Sequence, residues 1–249
     1  MDLGIAGRVA LVTGASKGLG YGIAQALADE GVRVAISSRS RERIDAAAAQ
    51  IGATGIVLDS SDLDAAPAVV DEVERSLGPV DILVANTGGP SPNPDALGHS
   101  REEWEAAYRD LALFPLALIE RVLPGMRERG WGRIVSVSSI AVREPIGPLV
   151  LSNAHRSATL AAFKTIARQV AGDGVTLNSL LPGRIATDRI LDLGGSPEQV
   201  AAAARDQVPA GRLGTVEEFA AVAAFLCSTR AAYVTGEAVR VDGGLTQSV

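Results

Sequence analysis

Short runs of β-branched and aliphatic residues alternate along the whole chain with Ala-rich stretches whose apolar positions recur at helical spacing. The runs Val9–Thr13, Arg33–Ser37, Gly55–Leu58, Ile82–Ala85, Arg133–Val137, Val175–Leu181 and Ala238–Val241 are predicted as strands. In VALV, ILVA and RIVSV the apolar residues run continuously rather than alternately, the pattern of strands buried on both faces of a parallel sheet. Helical spacing marks Leu19–Glu30, Arg41–Gln50, Ala65–Leu77, Arg101–Glu128, Ser152–Ala171 and Val216–Cys227. The expected class is therefore α/β, a doubly wound parallel sheet with helices on both faces. No stretch reads as a linker or repeat, so residues 1–249 are expected to form a single domain. Two long loops, Gly88–Ser100 and Arg184–Arg212, would lie at the carboxyl ends of strands, where such sheets bind ligands; the second includes a helical piece, AAAARDQV.

Composition narrows what the loops could bind. With 47% hydrophobic and 21% charged residues the chain can build a core, and 27 glycines against 4% aromatics favour tight backbone turns over stacking platforms. A net charge of −6 opposes binding to a phosphate backbone, so nucleic acid is not an expected partner. One cysteine, Cys227, and two histidines, His99 and His155, supply neither a disulfide nor an ordinary zinc site, and no metal is expected. The N-terminus has no basic segment followed by an apolar run, and Leu111–Ile119 falls far short of the roughly 18 residues a membrane span needs. A cytoplasmic protein acting on a small molecule, with no membrane partner, is the reading.

In ALVTGASKGLG, Gly14, Gly18 and Gly20 fall where the first strand becomes the first helix, with Ser16, Lys17 and Leu19 between them. Glycine there lets backbone N–H groups approach a pyrophosphate that the positive end of the helix stabilises. The position in the first βαβ unit points to nucleotide binding.

With these residues the chain resembles the short-chain dehydrogenase/reductase superfamily. TGASKGLG matches its glycine loop, ANTGG its Asn-Asn-Ala-Gly segment and GRIVSVSS its catalytic-serine strand; LNSLLPGRIATD and VTGEAVRVDGG resemble its later cofactor and C-terminal segments. The resemblance implies a Rossmann-like NADP-binding domain over 1–249. It also implies that Asp59 and Ser60 flank the adenine, that Asn86 and Gly88 wall the ribose, and that Pro182, Gly183, Ile185 and Thr187 surround the nicotinamide amide. After the second strand Ser38 and Arg39 replace the carboxylate that would bind both hydroxyls of an NAD ribose. Together with Lys17 the cationic Arg39 favours a 2′-phosphate, hence NADP(H).

The catalytic positions depart from that family's Asn, Ser, Tyr and Lys. The serine is Ser139, but customary spacing from it reaches Ser152 and Arg156 rather than tyrosine and lysine, and the chain contains no Tyr-x-x-x-Lys. Ser152, His155 and Arg156 stand at i, i+3 and i+4, so they share one helical face. Arg156 is expected to keep the lysine's hold on the nicotinamide ribose, while His155 is either an alternative acid or a packing residue. The asparagine position holds Leu111, and Pro115, lacking an N–H, is expected to free the Leu111 carbonyl for a relay water. The leading expectation is an NADP(H)-dependent oxidoreductase that reduces a C=O, C=N or activated C=C bond with a non-standard proton donor. The alternative is a non-catalytic NADP-binding partner subunit. The resemblance also implies a homodimer or homotetramer formed through the fourth and fifth helices.

Overall fold

A computed structural model describes residues 1–190 and 195–249. Seven parallel strands, β1 (Val9–Val12), β2 (Arg33–Ser38), β3 (Thr54–Val57), β4 (Ile82–Ala85), β5 (Gly132–Val137), β6 (Val175–Pro182) and β7 (Ala238–Val241), make one sheet in the order β3-β2-β1-β4-β5-β6-β7. The chain winds outward from β1 to β3, then returns to the other side of β1 and continues to β7. That reversal opens a crevice above the carboxyl ends of β1 and β4. β1, β4 and β5 are buried along their whole length, which is why their sequences carry apolar residues on both faces.

On one face pack α1 (Gly18–Asp29), α2 (Arg41–Ile51) and the last long helix, with Ile23, Leu27, Ile44 and Phe219 in their core. On the other, α3 (Ala65–Ser76), α5 (Phe114–Glu128) and α6 (Val150–Val170) enclose Val70, Phe114, Leu118 and Phe163. α4 (Arg101–Tyr108) leads into α5, while α7 (Pro197–Gln207) and α8 (Val216–Leu226) follow β6. Part of the loop expected over Arg184–Arg212, residues 191–194, lies outside the described residues; the helical piece within it is α7.

The helix expected over Arg101–Glu128 is not uniform. Between α4 and α5 the turn over Arg109–Leu113 widens to π geometry, with the Phe114 N–H bonded to the Arg109 carbonyl five residues back. Pro115 explains the widening: it brings no N–H, and in a regular helix its ring would press on the Leu111 carbonyl. The wide turn lies directly beside α6, the helix that carries Ser152 and Arg156.

Candidate active site

The glycine loop is built for close backbone approach. Gly14 and Gly18 adopt positive φ, +58° and +62°, which other residues reach only with strain. A Cβ on Gly20 would stand 2.6 Å from the Gly14 carbonyl, so the loop folds on itself only because this position has no side chain. Asn86, one residue past β4, ties the fold together: its side-chain amide donates to the Gly14 carbonyl at 2.9 Å, and its own backbone exchanges two bonds with the Thr13 hydroxyl. Lys17 begins α1 in extended conformation, and no side chain caps the helix there, whereas Ser40, Ser100, Ser196 and Thr215 cap α2, α4, α7 and α8. The first N–H groups of α1 therefore face the crevice without a side-chain acceptor, the arrangement that receives an anion.

Around the loop lie the other expected cofactor residues. Ser16, Lys17 and Gly18 line a pocket with Tyr21, Arg43 and Gln50, and Leu19 packs against the core behind it. Ser38 closes β2 with its hydroxyl buried and without a hydrogen-bond partner, the kind of orphaned group a sugar hydroxyl could satisfy. Arg39 follows it, exposed and close enough to Asp59 to help hold that carboxyl below its usual range; the main cause is the Ser61 backbone N–H, which donates to Asp59 at 3.0 Å. Ser60 lies beside Asp110, whose carboxyl is pushed up by burial first and by the Asp59 charge second. Gly88 lies two residues past Asn86, where a Cβ would meet open space.

The segment after β6 arches over this loop. Pro182 ends the strand, and Gly183 admits no side chain because a Cβ would meet Asp242 at 2.6 Å. Ile185 is buried and bridges to Gly214, which fixes the turn. Thr187 comes into van der Waals range of a Cβ on Gly18, and Asp188 pairs with Lys17 at 2.9 Å. This ion pair was not expected from the sequence. It occupies the lysine assigned to the 2′-phosphate, but both partners are well exposed, and such a pair yields readily to a competing anion.

At the other end of the crevice, Ser139 caps a single 3-10 turn, its Oγ accepting from the Ala141 N–H at 3.1 Å; that bond leaves the hydroxyl proton to donate elsewhere. Ser152 is buried in the first turn of α6. One turn on, Arg156 donates through Nη1 to the Val137 carbonyl at the end of β5, at 2.8 Å. Burial of its guanidinium, aided by the charge of Arg189, pushes its pKa down to about 10, so it remains charged near neutrality. Arg156 is thus held against the end of the strand that leads to Ser139.

One open alternative and one expectation are affected here. His155 shares the helix face of Ser152 only loosely: its ring packs edge-on against Trp104 at 5.4 Å and beside Tyr108 at 5.7 Å, both on α4. Burial lowers its pKa, opposed in part by the Trp104 backbone, and Nε2 has no hydrogen-bond partner. This is the packing alternative. The Leu111 carbonyl, expected to be open to a relay water, instead accepts the hydroxyl of Thr159 at 2.9 Å, while the Leu111 side chain is buried. Pro115 does widen the turn, but a threonine on α6 takes the exposed acceptor.

Sequence reasoning missed several groups. Arg43 supplies a further cation beside Lys17, and Asn153 pins the loop before α6 through two bonds with Ile146. Arg189 reaches from the segment after β6 to the carbonyls of Gly89 and Pro90 at 3.0 and 3.1 Å. Only Arg43, four residues past Arg39 and so within reach of the same loop, left a usable trace in the sequence. Among the described residues no group of three His, Cys, Asp or Glu could hold a metal, and no helix is long and apolar enough to cross a membrane.

A protein-family model described as Enoyl-(Acyl carrier protein) reductase matches residues 14–246. The 3-oxoacyl-(acyl-carrier-protein) reductase FabG of Escherichia coli (strain K12) is 35% identical over 241 residues, covering 96% of this chain and 97% of that protein. The L-sorbose reductase of Gluconobacter frateurii, solved with NADPH and L-sorbose, superposes with a TM-score of 0.93 at 31% identity over the whole of both chains. An NADPH-bound short chain oxidoreductase from Pseudomonas aeruginosa PAO1, described as containing an atypical catalytic center, superposes with a TM-score of 0.89 at 29% identity over 99% of each chain.

Proposed function

Because the chain belongs to the short-chain dehydrogenase/reductase superfamily, we propose that it is an NADP(H)-dependent reductase of a small organic substrate that works without a tyrosine acid. The observation that carries the reading is the pairing of an uncapped glycine-loop helix with Arg156 seated against the end of the strand that presents Ser139. Lys17, Arg39 and Arg43 form the cationic end that would take the 2′-phosphate, and the N–H groups of α1 the pyrophosphate. When bound, the nicotinamide supplies a hydride. Ser139 would donate its hydroxyl to the substrate oxygen, and Arg156 would hold the nicotinamide ribose and bring a fixed positive charge to that end of the crevice.

With no phenol at position 152, a strong acid is missing at the moment an alkoxide would form. Substrates whose product anion is already stable, such as an activated C=C bond, or which begin positively charged, such as an iminium, make the smallest demand. Reduction of an unactivated ketone demands most. The proton then comes from water admitted beside Ser139 and Ser152; the Leu111 carbonyl already accepts from Thr159 and has one lone pair left for such a water.

We further infer one domain over 1–249, a cytoplasmic location, and a homodimer or homotetramer joined through the α4, α5 and α6 face, where Tyr108 is partly exposed beside His155. Single-turnover mixing of NADPH-loaded protein with enone, imine and ketone panels tests the reaction. Loss of the 340 nm absorbance with at least one activated C=C or C=N substrate is expected. NADPH binding without oxidation across the panels would overturn the reductase reading in favour of a binding subunit.

A further inference from the structure

The cations of this crevice fall into two groups. Lys17 and Arg43 line one pocket beside the glycine loop and Arg39 follows β2, where the cofactor's phosphate would account for them. Arg156 stands at the end of β5, where the proposed reading puts the nicotinamide and its ribose, and the charge of Arg189 bears on it. Arg189 arrives there by crossing the crevice, from the segment after β6 to the loop after β4, a sequence separation of 100 residues. Its seat lies on Gly89 and Pro90, three and four residues past Asn86, whose own side chain bonds the Gly14 carbonyl. Gly89 makes the seat possible, since a Cβ there would meet the guanidinium at 2.7 Å.

The protein bonds these two guanidiniums make are to neutral carbonyls: Val137 for Arg156, Gly89 and Pro90 for Arg189. Neither forms an ion pair with a carboxylate among the described residues. The two repel one another, which is part of why Arg156 holds its proton less tightly than usual. Among the described residues no carboxylate pairs with either guanidinium, so a bound anion would meet cations whose present partners are neutral carbonyls. Arg189 is exposed, so exchanging two neutral carbonyls for an ionised acceptor requires only a side-chain swing. The exchange is favourable because charge-assisted, bidentate bonds are stronger than neutral ones.

We propose that Arg189 anchors the substrate by an oxyanion, a carboxylate or a phosphate monoester, with Arg156 reinforcing the same positive end. This deepens the reductase reading above and rests on it for the identity of the crevice. Anchoring also fits a site without a phenol: a cation held near the reacting atoms stabilises negative charge that no acid is present to quench. The substrate class is therefore a small acid or phosphate ester carrying a reducible bond, rather than a neutral ketone.

The test uses the NADP⁺-loaded protein and calorimetric titration with matched probes: 2-oxobutanoate and cinnamate against their primary amides, and phenyl phosphate against phenol. At least one anion is expected to bind ten-fold or more tightly than its neutral partner, and the pair that discriminates identifies carboxylate or phosphate as the source. Arg189→Gln should remove that preference, Arg189→Lys should keep part of it, and the NADPH Kd of both should stay within two-fold of the wild type. Equal binding of every acid and its neutral partner overturns the proposal, as does a preference that survives Arg189→Gln. A ten-fold loss of NADPH affinity in Arg189→Gln also overturns it, because the guanidinium would then serve the cofactor. Hydride transfer is not part of this readout, so an inactive protein that still prefers anions would refute only the reductase reading.

Discussion

The hydroxyl of Thr159 on α6 donates to the carbonyl of Leu111 in the π turn, 2.9 Å away and 48 residues earlier. One threonine thus satisfies the acceptor that Pro115 exposes, and it holds the wide turn against the helix carrying Ser152 and Arg156. The Thr159 oxygen also lies 2.8 Å from the His155 carbonyl in the preceding turn of α6, but a hydroxyl has one proton. The His155 carbonyl sits inside a regular helix where a backbone amide already serves it, so the proton is better used on Leu111.

Thr159→Val keeps the volume and leaves the buried Leu111 carbonyl without this donor. A loss of about 1–3 kcal/mol in urea unfolding is expected, the usual cost of a buried group deprived of its partner. Thr159→Ser should recover most of it. An unchanged unfolding midpoint in the valine variant would show that water serves the carbonyl equally well.

Cofactor choice follows from the cations at the adenosine end. NADPH should bind more tightly than NADH, and Arg39→Ala should weaken NADPH far more than NADH, since each charge-assisted contact is worth roughly 1.5–3 kcal/mol. The Lys17 to Asp188 pair adds a second expectation. Asp188→Asn releases the lysine from an exposed ion pair worth about 0.2–1 kcal/mol, so NADPH affinity should rise by up to about five-fold. Fluorescence titration of both nucleotides measures this; a fall in NADPH affinity would mean that Asp188 serves the cofactor directly.

These examples mark what could be read from the chain and what could not. Strands such as β4 were legible to the residue, because burial on both faces writes an uninterrupted apolar run. The glycine loop was legible because its backbone demands glycine at fixed positions, and Arg156 because the family's customary spacing from Ser139 reaches Ser152 and, four residues on, Arg156. What stayed hidden joins residues far apart in the sequence: Thr159 with Leu111, Lys17 with Asp188, Arg189 with Gly89. Such pairs depend on how two helices or two loops meet, and a single sequence carries no periodicity that records the meeting. His155 shows the same limit within one helix. Spacing put it near the face of Ser152, but Trp104 and Tyr108 on a different helix decided which way its ring turned.

The buried imidazole has a consequence for pH. Its pKa is lowered on folding, chiefly by burial, so between the folded value and the reference of about 6.5 the unfolded chain binds more protons than the folded one. The stability this neutral histidine contributes is present above the unfolded pKa and is lost as pH falls through the folded one. The melting temperature of the wild type should therefore drop more between pH 7 and pH 5 than that of His155→Phe. Turnover tells the same residue's story differently: a neutral imidazole is no acid, so the rate should keep its pH dependence in His155→Ala. A fall in rate as pH rises through the histidine's own titration, vanishing in His155→Ala, would instead establish it as the proton donor.

The last prediction concerns the missing phenol. Ser139→Ala should lower turnover of the best substrate by on the order of a hundred-fold, since it removes a donor aimed at developing charge, whereas His155→Ala should change it little. Arg156→Ala should weaken NADPH binding and turnover together, and Arg156→Lys should retain part of both, because an ammonium can still bond the ribose but cannot reach the Val137 carbonyl in the same geometry. If acid strength is what limits reduction of plain ketones, then Ser152→Tyr combined with Arg156→Lys should raise their kcat/KM by ten-fold or more, while the activated substrates that needed no acid gain little. Position 152 is buried in the first turn of α6, so the melting temperature of the double variant is measured first to establish that the ring is accommodated. A folded double variant that reduces plain ketones no faster than the wild type would mean that substrate placement, not the proton, sets the limit, and would turn attention to the loop that Asn153 pins to Ile146.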